Sequence, residues 1–334
     1  MTILDLTPTC FYYPIKVIFL DDNRTFLDAL ELEFSSHINM LTFTSPDAAL
    51  CAINNDSEDV TRAILELVNN INIDTTTDRM LGFEMNKMLN FIYDGRRFDN
   101  AAVLVVDYEM PDINGIDFCR KLKDKQIFII MLTAEADRDT AIKAFNDGII
   151  DKFILKTNKN LYKEVSCAIF ELMHHYFKES SKRILNGYNN AVNRLFNNAA
   201  YCALFKQTIN ESRSVEYYMV DNSGSFLFLD KDAVPTWLIV RHINELHEQL
   251  ELLQGYDATD SIISAISKKE KILFLLSESE YKKPIREWNN FIFEAKKLNE
   301  HFYFSIVHDR ITQSIEWDKI TPYAKSKLTE VASF

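Results

Sequence analysis

The sequence has few cysteines, no long apolar run and no excess of basic residues. Its five cysteines are odd in number and dispersed, and no Cys-x-x-Cys pair occurs. This pattern argues against a disulfide framework or a zinc cluster and favours a reducing compartment. No segment reaches the roughly 18 consecutive apolar residues of a membrane-spanning helix, and the N-terminus lacks a signal-peptide pattern. We therefore expect a cytoplasmic protein with no membrane attachment.

Basic charge is also scarce. The chain carries 37 Lys and Arg against 49 Asp and Glu, a net charge of −12, and neither half is basic. Proteins that bind DNA need clustered Lys and Arg to displace counterions from phosphates. The sequence shows no helix-turn-helix with a basic recognition helix either. We expect no direct contact with nucleic acid, and direct DNA-binding transcription is the least favoured function.

Glycine is rare toward the C-terminus. Residues 210–334 contain only Gly224 and Gly255. They hold no Gly-rich phosphate loop, no His-Glu-x-x-His motif and no paired metal carboxylates, which argues against an output enzyme. The stretch "DNSGSF" at 221–226 is a hairpin turn and a weak candidate for a phosphate loop.

Strand and helix patterns alternate through the first half of the chain. Five short apolar runs, each followed by a segment with helical apolar spacing, predict a doubly wound α/β domain with a five-stranded parallel sheet. The runs are "IKVIFLDD", "MLTFTS", "AAVLVVD", "QIFIIMLTA" and "KFILK". Residues 54–97 interrupt the pattern, and we interpret them as a helical insertion. This domain is predicted to span residues 1–165.

The second half follows a different pattern. Residues 166–212 are predicted to form a helical connector. Residues 213–334 mix hairpin, strand and helix patterns and predict a smaller α+β domain, in which "IREWNNFIFEAKKLNE" at 285–300 is predicted to be a helix. Its aromatic residues are expected to form the core, with a ligand pocket as the alternative.

Reactive side chains stand at four of the five predicted strand ends. They are Asp21, Asp22, Asp107, Thr133 and Lys156. Because the carboxyl ends of parallel strands meet at one edge of the sheet, these side chains are expected to converge on one cleft.

The chemistry of that cleft follows from its residue types. Three neighbouring carboxylates repel one another and need a cation, and hard oxygen ligands suit Mg²⁺. An aspartate can attack phosphorus to form an acyl phosphate, while Mg²⁺ and Lys156 neutralise the phosphoryl oxygens. The Thr133 hydroxyl can bond a phosphoryl oxygen. Pro111 and Gly115 shape a turn that leaves Asp107 exposed, so Asp107 is the predicted nucleophile.

This combination, with Met110-Pro111 and Thr133-Ala134, resembles the receiver domain of bacterial two-component response regulators. The resemblance covers roughly residues 14–165 and implies a flavodoxin-like, CheY-like fold. It implies phosphorylation of Asp107 by a sensor histidine kinase or a phosphotransfer protein. It also implies that Asp22, Asp107 and the backbone carbonyl of Glu109 ligate Mg²⁺, with Asp21 acting through water.

The same resemblance assigns the phosphoryl contact to Lys156 and makes Thr133 and Phe153 the switch pair. The sequence departs from the family at Thr157, where a proline in a cis peptide is usual. The insertion and the stretches "AFNDGIIDKFILK" and "YYMVDNSGSFLFLDKDAVPTWLIV" are similar to a narrower group, response regulators without a DNA-binding output domain. That group includes the regulator of α-hydroxyketone quorum sensing.

The implied function is a phosphorylation switch. Phosphorylation would drive homodimerisation or the binding of a protein partner and so regulate gene expression indirectly. The receiver would catalyse only its own phosphorylation and dephosphorylation. Two alternatives stay open. The output domain could bind a nucleotide or another small ligand or act as an enzyme, and the receiver could be degenerate and never phosphorylated.

Overall fold

The computed structural model describes residues 7–54, 86–122, 127–134, 137–185, 190–256 and 258–326. The chain divides into two compact units. The first unit contains the described parts of 14–60 and 96–179, and the second contains those of 1–13, 61–95 and 180–334. Most of the predicted insertion at 54–97 lies outside the described residues.

The strands, in chain order, are β1 (Phe11–Tyr12), β2 (Lys16–Leu20), β3 (Asn39–Phe43), β4 (Ala101–Asp107), β5 (Phe128–Thr133), β6 (Lys152–Leu155), β7 (Ser214–Met219), β8 (Phe226–Asp230), β9 (Pro235–His242), β10 (Lys271–Leu273), β11 (Ile292–Glu294), β12 (Lys296–Lys297) and β13 (Phe302–Val307). The α-helices are α1 (Arg24–Phe34), α2 (Pro46–Asn54), α3 (Gly115–Arg120), α4 (Arg138–Asn146), α5 (Leu161–Leu185), α6 (Asn190–Phe196), α7 (Ala199–Ser212), α8 (Ile243–Gly255), α9 (Asp260–Ser267) and α10 (Glu278–Tyr281). Short 3₁₀ helices span Asn86–Tyr93, Gly95–Phe98, Ile285–Phe291 and Trp317–Lys319.

The first unit is built on a five-stranded parallel sheet with the order β3-β2-β4-β5-β6. Its central strands β2 and β4 are almost entirely buried, as expected for apolar runs in a sheet covered on both faces. The strand order reverses direction at β2, where β3 lies on one side and β4 on the other, and such a point opens a crevice at the carboxyl ends of the strands. The predicted doubly wound fold is confirmed.

Side-chain caps set the starts of two helices near this crevice. The Asn23 side chain accepts a hydrogen bond from the Phe26 N–H at 3.2 Å, and α1 begins directly after it. The Asn114 side chain accepts from the Asp117 N–H at 2.9 Å at the start of α3. Both helices therefore begin just beyond a strand that carries a candidate carboxylate.

The second unit contains a six-stranded sheet in the order β1-β7-β8-β9-β13-β12, antiparallel throughout, and a separate antiparallel pair, β10-β11. Helix α7 places Phe205 against the sheet. Its ring lies 5.0 Å from that of Tyr217, 4.9 Å from Phe226 and 5.2 Å from Phe228. The sequence-predicted aromatic residues therefore pack ring against ring in the core of this unit.

The structure differs from the prediction at residues 285–300, where the predicted helix is wrong. Ile285–Phe291 forms a 3₁₀ helix, and β11 and β12 follow it. The apolar spacing buries Trp288 and Phe291, but Ile292–Glu294 pairs with β10 across the chain. Long-range strand pairing here overrides a local helical pattern.

The described part of the predicted helical connector consists of three helices. Helices α5, α6 and α7 succeed one another, and α7 begins at an Asn198 cap whose side chain accepts from the Tyr201 N–H at 3.1 Å.

All five cysteines are free thiols. Among the helices that the structure describes, none is long and apolar enough to cross a membrane.

The unit boundaries differ from the predicted domain boundaries. Residues 11–12 lie within the predicted first domain, 1–165, but they form β1, which pairs antiparallel with β7 in the second unit. Residues 86–95 join the second unit as well, because Thr321 donates from its hydroxyl to the Tyr93 carbonyl at 2.9 Å and from its N–H to the Ile92 carbonyl at 3.2 Å. Strand β1 has only two residues, so its sequence pattern is too short to predict a pairing with β7, which lies about 200 residues further along the chain.

Candidate functional site

A tight turn leaves Asp107 at the end of β4. The Gly115 N–H donates to the Tyr108 carbonyl at 2.9 Å, which folds the loop back over the strand end. A Cβ atom at Gly115 would lie 2.3 Å from the Asp107 carbonyl oxygen. Only a residue without a side chain allows this approach, which is the physical reason for the glycine in the sequence.

Three carboxylates converge at this strand end. Carboxylate oxygens of Asp21, Asp22 and Asp107 all lie within 4.8 Å of one another. Asp22 is exposed and Asp21 is buried. The expectation that the turn leaves Asp107 exposed is wrong, because Asp107 ends a buried central strand and is itself buried. The two acids that follow β2 and the acid that ends β4 meet because the two strands are neighbours in the parallel sheet.

Lys156 joins two of these acids. Its Nζ atom lies 2.7 Å from the Asp21 Oδ2 atom and 2.7 Å from the Asp107 Oδ2 atom. The backbone N–H of Asn23 donates to the other Asp21 oxygen at 2.9 Å. Asp21 is therefore held by a lysine and a backbone amide. The peptide bond that follows Lys156 is trans, in contrast to the cis geometry usual for the family.

Asp107 and Lys156 affect each other's pKa. Burial raises the pKa of Asp107, Lys156 opposes this through a hydrogen bond and its charge, and the Asp21 carboxylate adds to the rise. For Lys156, burial alone lowers the pKa, but the hydrogen bonds and charges of Asp107 and Asp21 outweigh it, so the pKa stays above its ordinary value. One ammonium among three carboxylates leaves an excess of negative charge that a cation can balance.

The predicted switch residues lie on the neighbouring strands. Thr133 ends β5, is fully buried, and donates from its hydroxyl to the Ala134 carbonyl at 3.3 Å. Phe153 lies half-buried in β6 and meets the Phe145 ring edge-on at 6.5 Å. Glu109 is exposed, two residues beyond Asp107. The switch role of Thr133 and Phe153, and the metal contact of the Glu109 carbonyl, stay predictions.

The candidate phosphate loop at 221–226 is occupied by its own side chain. Asp221 accepts hydrogen bonds from the Ser223 N–H at 3.0 Å and the Ser225 N–H at 2.9 Å. Its other oxygen pairs with Arg241 at 2.8 Å. Two amides that could have bound a phosphate are therefore engaged by a carboxylate, whose charge would repel one.

The sequence reasoning missed two residues at the cleft. Asn23 donates to Asp21 from its backbone. Phe26 fits the apolar spacing of α1, but its ring lies under Lys156, with Nζ 5.0 Å from the ring centroid. Only their position in the sequence could have indicated a place at the cleft, because Asn23 and Phe26 follow Asp22 within one helical turn.

Comparison with known proteins agrees with this geometry. The model of the response regulator receiver domain matches residues 53–165. The chain contains a response regulator receiver domain. The matched segment includes Asp107, Thr133 and Lys156, while Asp21 and Asp22 precede it and join the site through β2.

Two known response regulators illustrate the extent of the similarity. LqsR from Legionella pneumophila is similar over 98% of this chain and 97% of its own, with a TM-score of 0.78 and 27% sequence identity. ArlR from Staphylococcus aureus is 32% identical over 104 residues, which are 30% of this chain and 42% of ArlR. The chain thus spans less than half the length of the curated relatives it matches. The likeness to LqsR extends to the fold of the second unit.

Proposed function

We propose that this protein is the response regulator of a two-component phosphorelay, switched by phosphorylation of Asp107. The observation that carries the proposal is the meeting of three carboxylates and one lysine at the carboxyl ends of β2, β4 and β6 within a receiver domain. A sensor histidine kinase or a phosphotransfer protein is the proposed donor. A cytoplasmic location goes with this role.

Asp107 is the proposed nucleophile. One of its carboxylate oxygens would attack the phosphorus of a phosphohistidine, the phosphorus–nitrogen bond would break, and the imidazole would leave with a proton. The product is an acyl phosphate on Asp107. Burial favours the neutral carboxyl, whereas the hydrogen bond and the charge of Lys156 favour the ionised form that attacks.

The donor set suits Mg²⁺. Three carboxylates within 4.8 Å of one another offer hard oxygen ligands, and the lysine nearby neutralises only part of their charge. Asp22, Asp107 and the Glu109 carbonyl would hold the ion directly, with Asp21 acting through water. When bound, Mg²⁺ supplies positive charge to the phosphoryl oxygens. Lys156, which follows β6, supplies the second positive charge.

The proposed readout is homodimerisation through the surface formed by α4, β6 and α5. A groove of about 610 Å³ opens there between Phe145, Phe153, Lys152, Lys163, Glu164 and Glu171. Phe145 is 47% exposed and Ile142 is 36% exposed, so apolar area is available for a partner. Charges of both signs border the groove, which suits a surface that meets its own copy. Thr133 and Phe153 would couple the phosphoryl group to this surface.

The second unit is the proposed output domain, acting through a protein partner and regulating gene expression indirectly. The likeness to the response regulator LqsR spans both units. A place among response regulators without a DNA-binding output domain, with quorum sensing as the context, is proposed from the sequence resemblance. Nucleotide binding is the weaker alternative, because the amides of Ser223 and Ser225 are already bonded to Asp221.

Light scattering tests the readout. With Mg²⁺ and a small phosphodonor, the wild type is expected to shift from monomer to dimer, whereas Asp107→Asn is expected to stay monomeric. Phe145→Glu should accept the phosphoryl group and fail to dimerise. A matched control is Phe145→Tyr, which keeps the apolar ring. An equal shift in the wild type and Asp107→Asn would refute the link between phosphorylation and dimerisation.

A further inference from the structure

The ammonium group of Lys156 is enclosed on three sides. Two of these sides are the carboxylate oxygens of Asp21 and Asp107, each 2.7 Å away. The third is the face of the Phe26 ring, whose centroid lies 5.0 Å from Nζ. The lysine side chain is 28% exposed, whereas the two carboxylates are 3% and 7% exposed. Lys156 is therefore more exposed than the two carboxylates that it contacts, and it has an aromatic ring beside it.

We propose that Phe26 is a positioning residue that holds Lys156 at the phosphorylation site. This inference rests on the proposed function, since it assigns a part in the same reaction. A cation over the face of an aromatic ring within about 6 Å is attracted by the ring quadrupole. Lysine carries its charge on a flexible four-carbon stem. The attraction to the Phe26 ring, together with the two carboxylates, therefore restricts the positions that the ammonium group can occupy.

The position of the ring is itself fixed by the turn that begins α1. The Asn23 side chain accepts the Phe26 N–H at 3.2 Å, and the Asn23 N–H donates to Asp21 at 2.9 Å. One helical turn thus orients a carboxylate and the aromatic ring that flanks its lysine partner. Phe26 is half-buried, which suits a side chain that borders a cleft more than one that fills a core.

The positioning role matters most during transfer. In the unphosphorylated protein, the negative charge of the Asp107 carboxylate attracts Lys156. When the acyl phosphate forms, this carboxylate charge is lost, and Lys156 must donate its hydrogen bond to a phosphoryl oxygen instead. The contact with Phe26 does not depend on the state of Asp107. It keeps the ammonium near the reacting atoms while its hydrogen-bond partner changes.

The test compares Phe26→Leu with Phe26→Tyr in the full chain. Leucine keeps apolar bulk but has no ring, and tyrosine keeps the ring. The first readout is the NMR order parameter of the Lys156 side-chain methylene groups in the unphosphorylated protein. The second is the phosphorylation rate with Mg²⁺ and a small phosphodonor. We expect Phe26→Leu to lower the order parameter and to slow phosphorylation about two- to fivefold, and Phe26→Tyr to restore both.

The outcomes separate this inference from the proposed function. If Lys156 is as ordered in Phe26→Leu as in the wild type, Phe26 does not position it and the inference fails. If both variants slow the reaction equally, ring attraction is refuted as the cause. If the wild type accepts no phosphoryl group yet Lys156 loses order only in Phe26→Leu, the proposed function fails and the positioning of Lys156 stands.

Discussion

Replacing Gly115 with alanine would place a methyl carbon 2.3 Å from the carbonyl oxygen of Asp107 and 3.2 Å from the Met131 methyl group. The Met131 side chain can move aside. The Asp107 carbonyl cannot, because it belongs to the backbone at the end of a buried central strand. The start of α3 or the end of β4 must therefore shift, and a shift of β4 moves the Asp107 carboxylate.

The magnitude follows from overpacking. Forcing an extra methyl into a packed site costs about 1–3 kcal/mol, and a backbone obstacle places this substitution at the upper end. Alanine returns up to about 1 kcal/mol where it replaces glycine in a helix interior, but less at the first residue of α3. We expect Gly115→Ala to destabilise the first unit by about 2 kcal/mol or more.

The assay must report on the first unit alone. All three tryptophans, Trp237, Trp288 and Trp317, belong to the second unit, so their fluorescence does not follow the first. Amide hydrogen exchange of residues 101–122 does. Faster exchange there and slower phosphorylation are expected.

A matched control is Gly255→Ala at the end of α8, where nothing lies within 4 Å of an added Cβ. It should be neutral or stabilise by up to about 1 kcal/mol. Unchanged exchange at residues 101–122 together with wild-type phosphorylation in Gly115→Ala would refute the steric reasoning.

Four further substitutions probe the rest of the structure. Burial is the main cause that lowers the pKa of His174 from 6.5 to about 4, so the unfolded chain takes up the proton first and stability falls as pH drops from 6.5 toward 4. His174→Leu should remove about 1–2 kcal/mol of that loss after solvent screening, and equal acid sensitivity in thermal unfolding would contradict this. Arg241→Met removes the ion-pair partner of Asp221, whose side chain is 14% exposed and keeps its bonds from the Ser223 and Ser225 amides. The loss should cost about 1.5–3 kcal/mol by urea unfolding followed with tryptophan fluorescence. Asp232→Asn, which removes an exposed ion pair, should leave the stability almost unchanged, and equal losses in the two variants would contradict the contribution of the Arg241–Asp221 pair. Ala233→Gly relieves a left-handed backbone with φ of 62° and should stabilise the second unit by up to about 1 kcal/mol, so a loss of stability would show that this residue is unstrained.

The first unit could be predicted because its signals are local. Apolar β-branched runs mark β2, β4 and β5 directly, and a parallel sheet aligns their carboxyl ends. Once the strands are placed, Asp21, Asp22, Asp107 and Lys156 must approach one another. The glycine and proline of the loop after β4 add a second local signal.

The rest depends on contacts between distant parts of the chain. The pairing of β10 with β11 replaces a helix that the apolar spacing around Trp288 suggests. The contact between Phe26 and Lys156 joins residues from opposite ends of the receiver sequence, and no periodicity encodes it. The apolar spacing of α1 suggests that Phe26 is a core residue, and nothing in that spacing indicates its contact with Lys156.

Phosphoaspartate formation is the most direct test of the central claim. The full chain is incubated with Mg²⁺ and a small phosphodonor, or with the cognate kinase, and its intact mass is measured. The wild type and a control, Asp112→Asn in the exposed loop beyond β4, are expected to gain one phosphoryl group, and Asp107→Asn none. Phosphorylation of Asp107→Asn to the wild-type extent, or no phosphorylation of the wild type with any donor, would contradict the account.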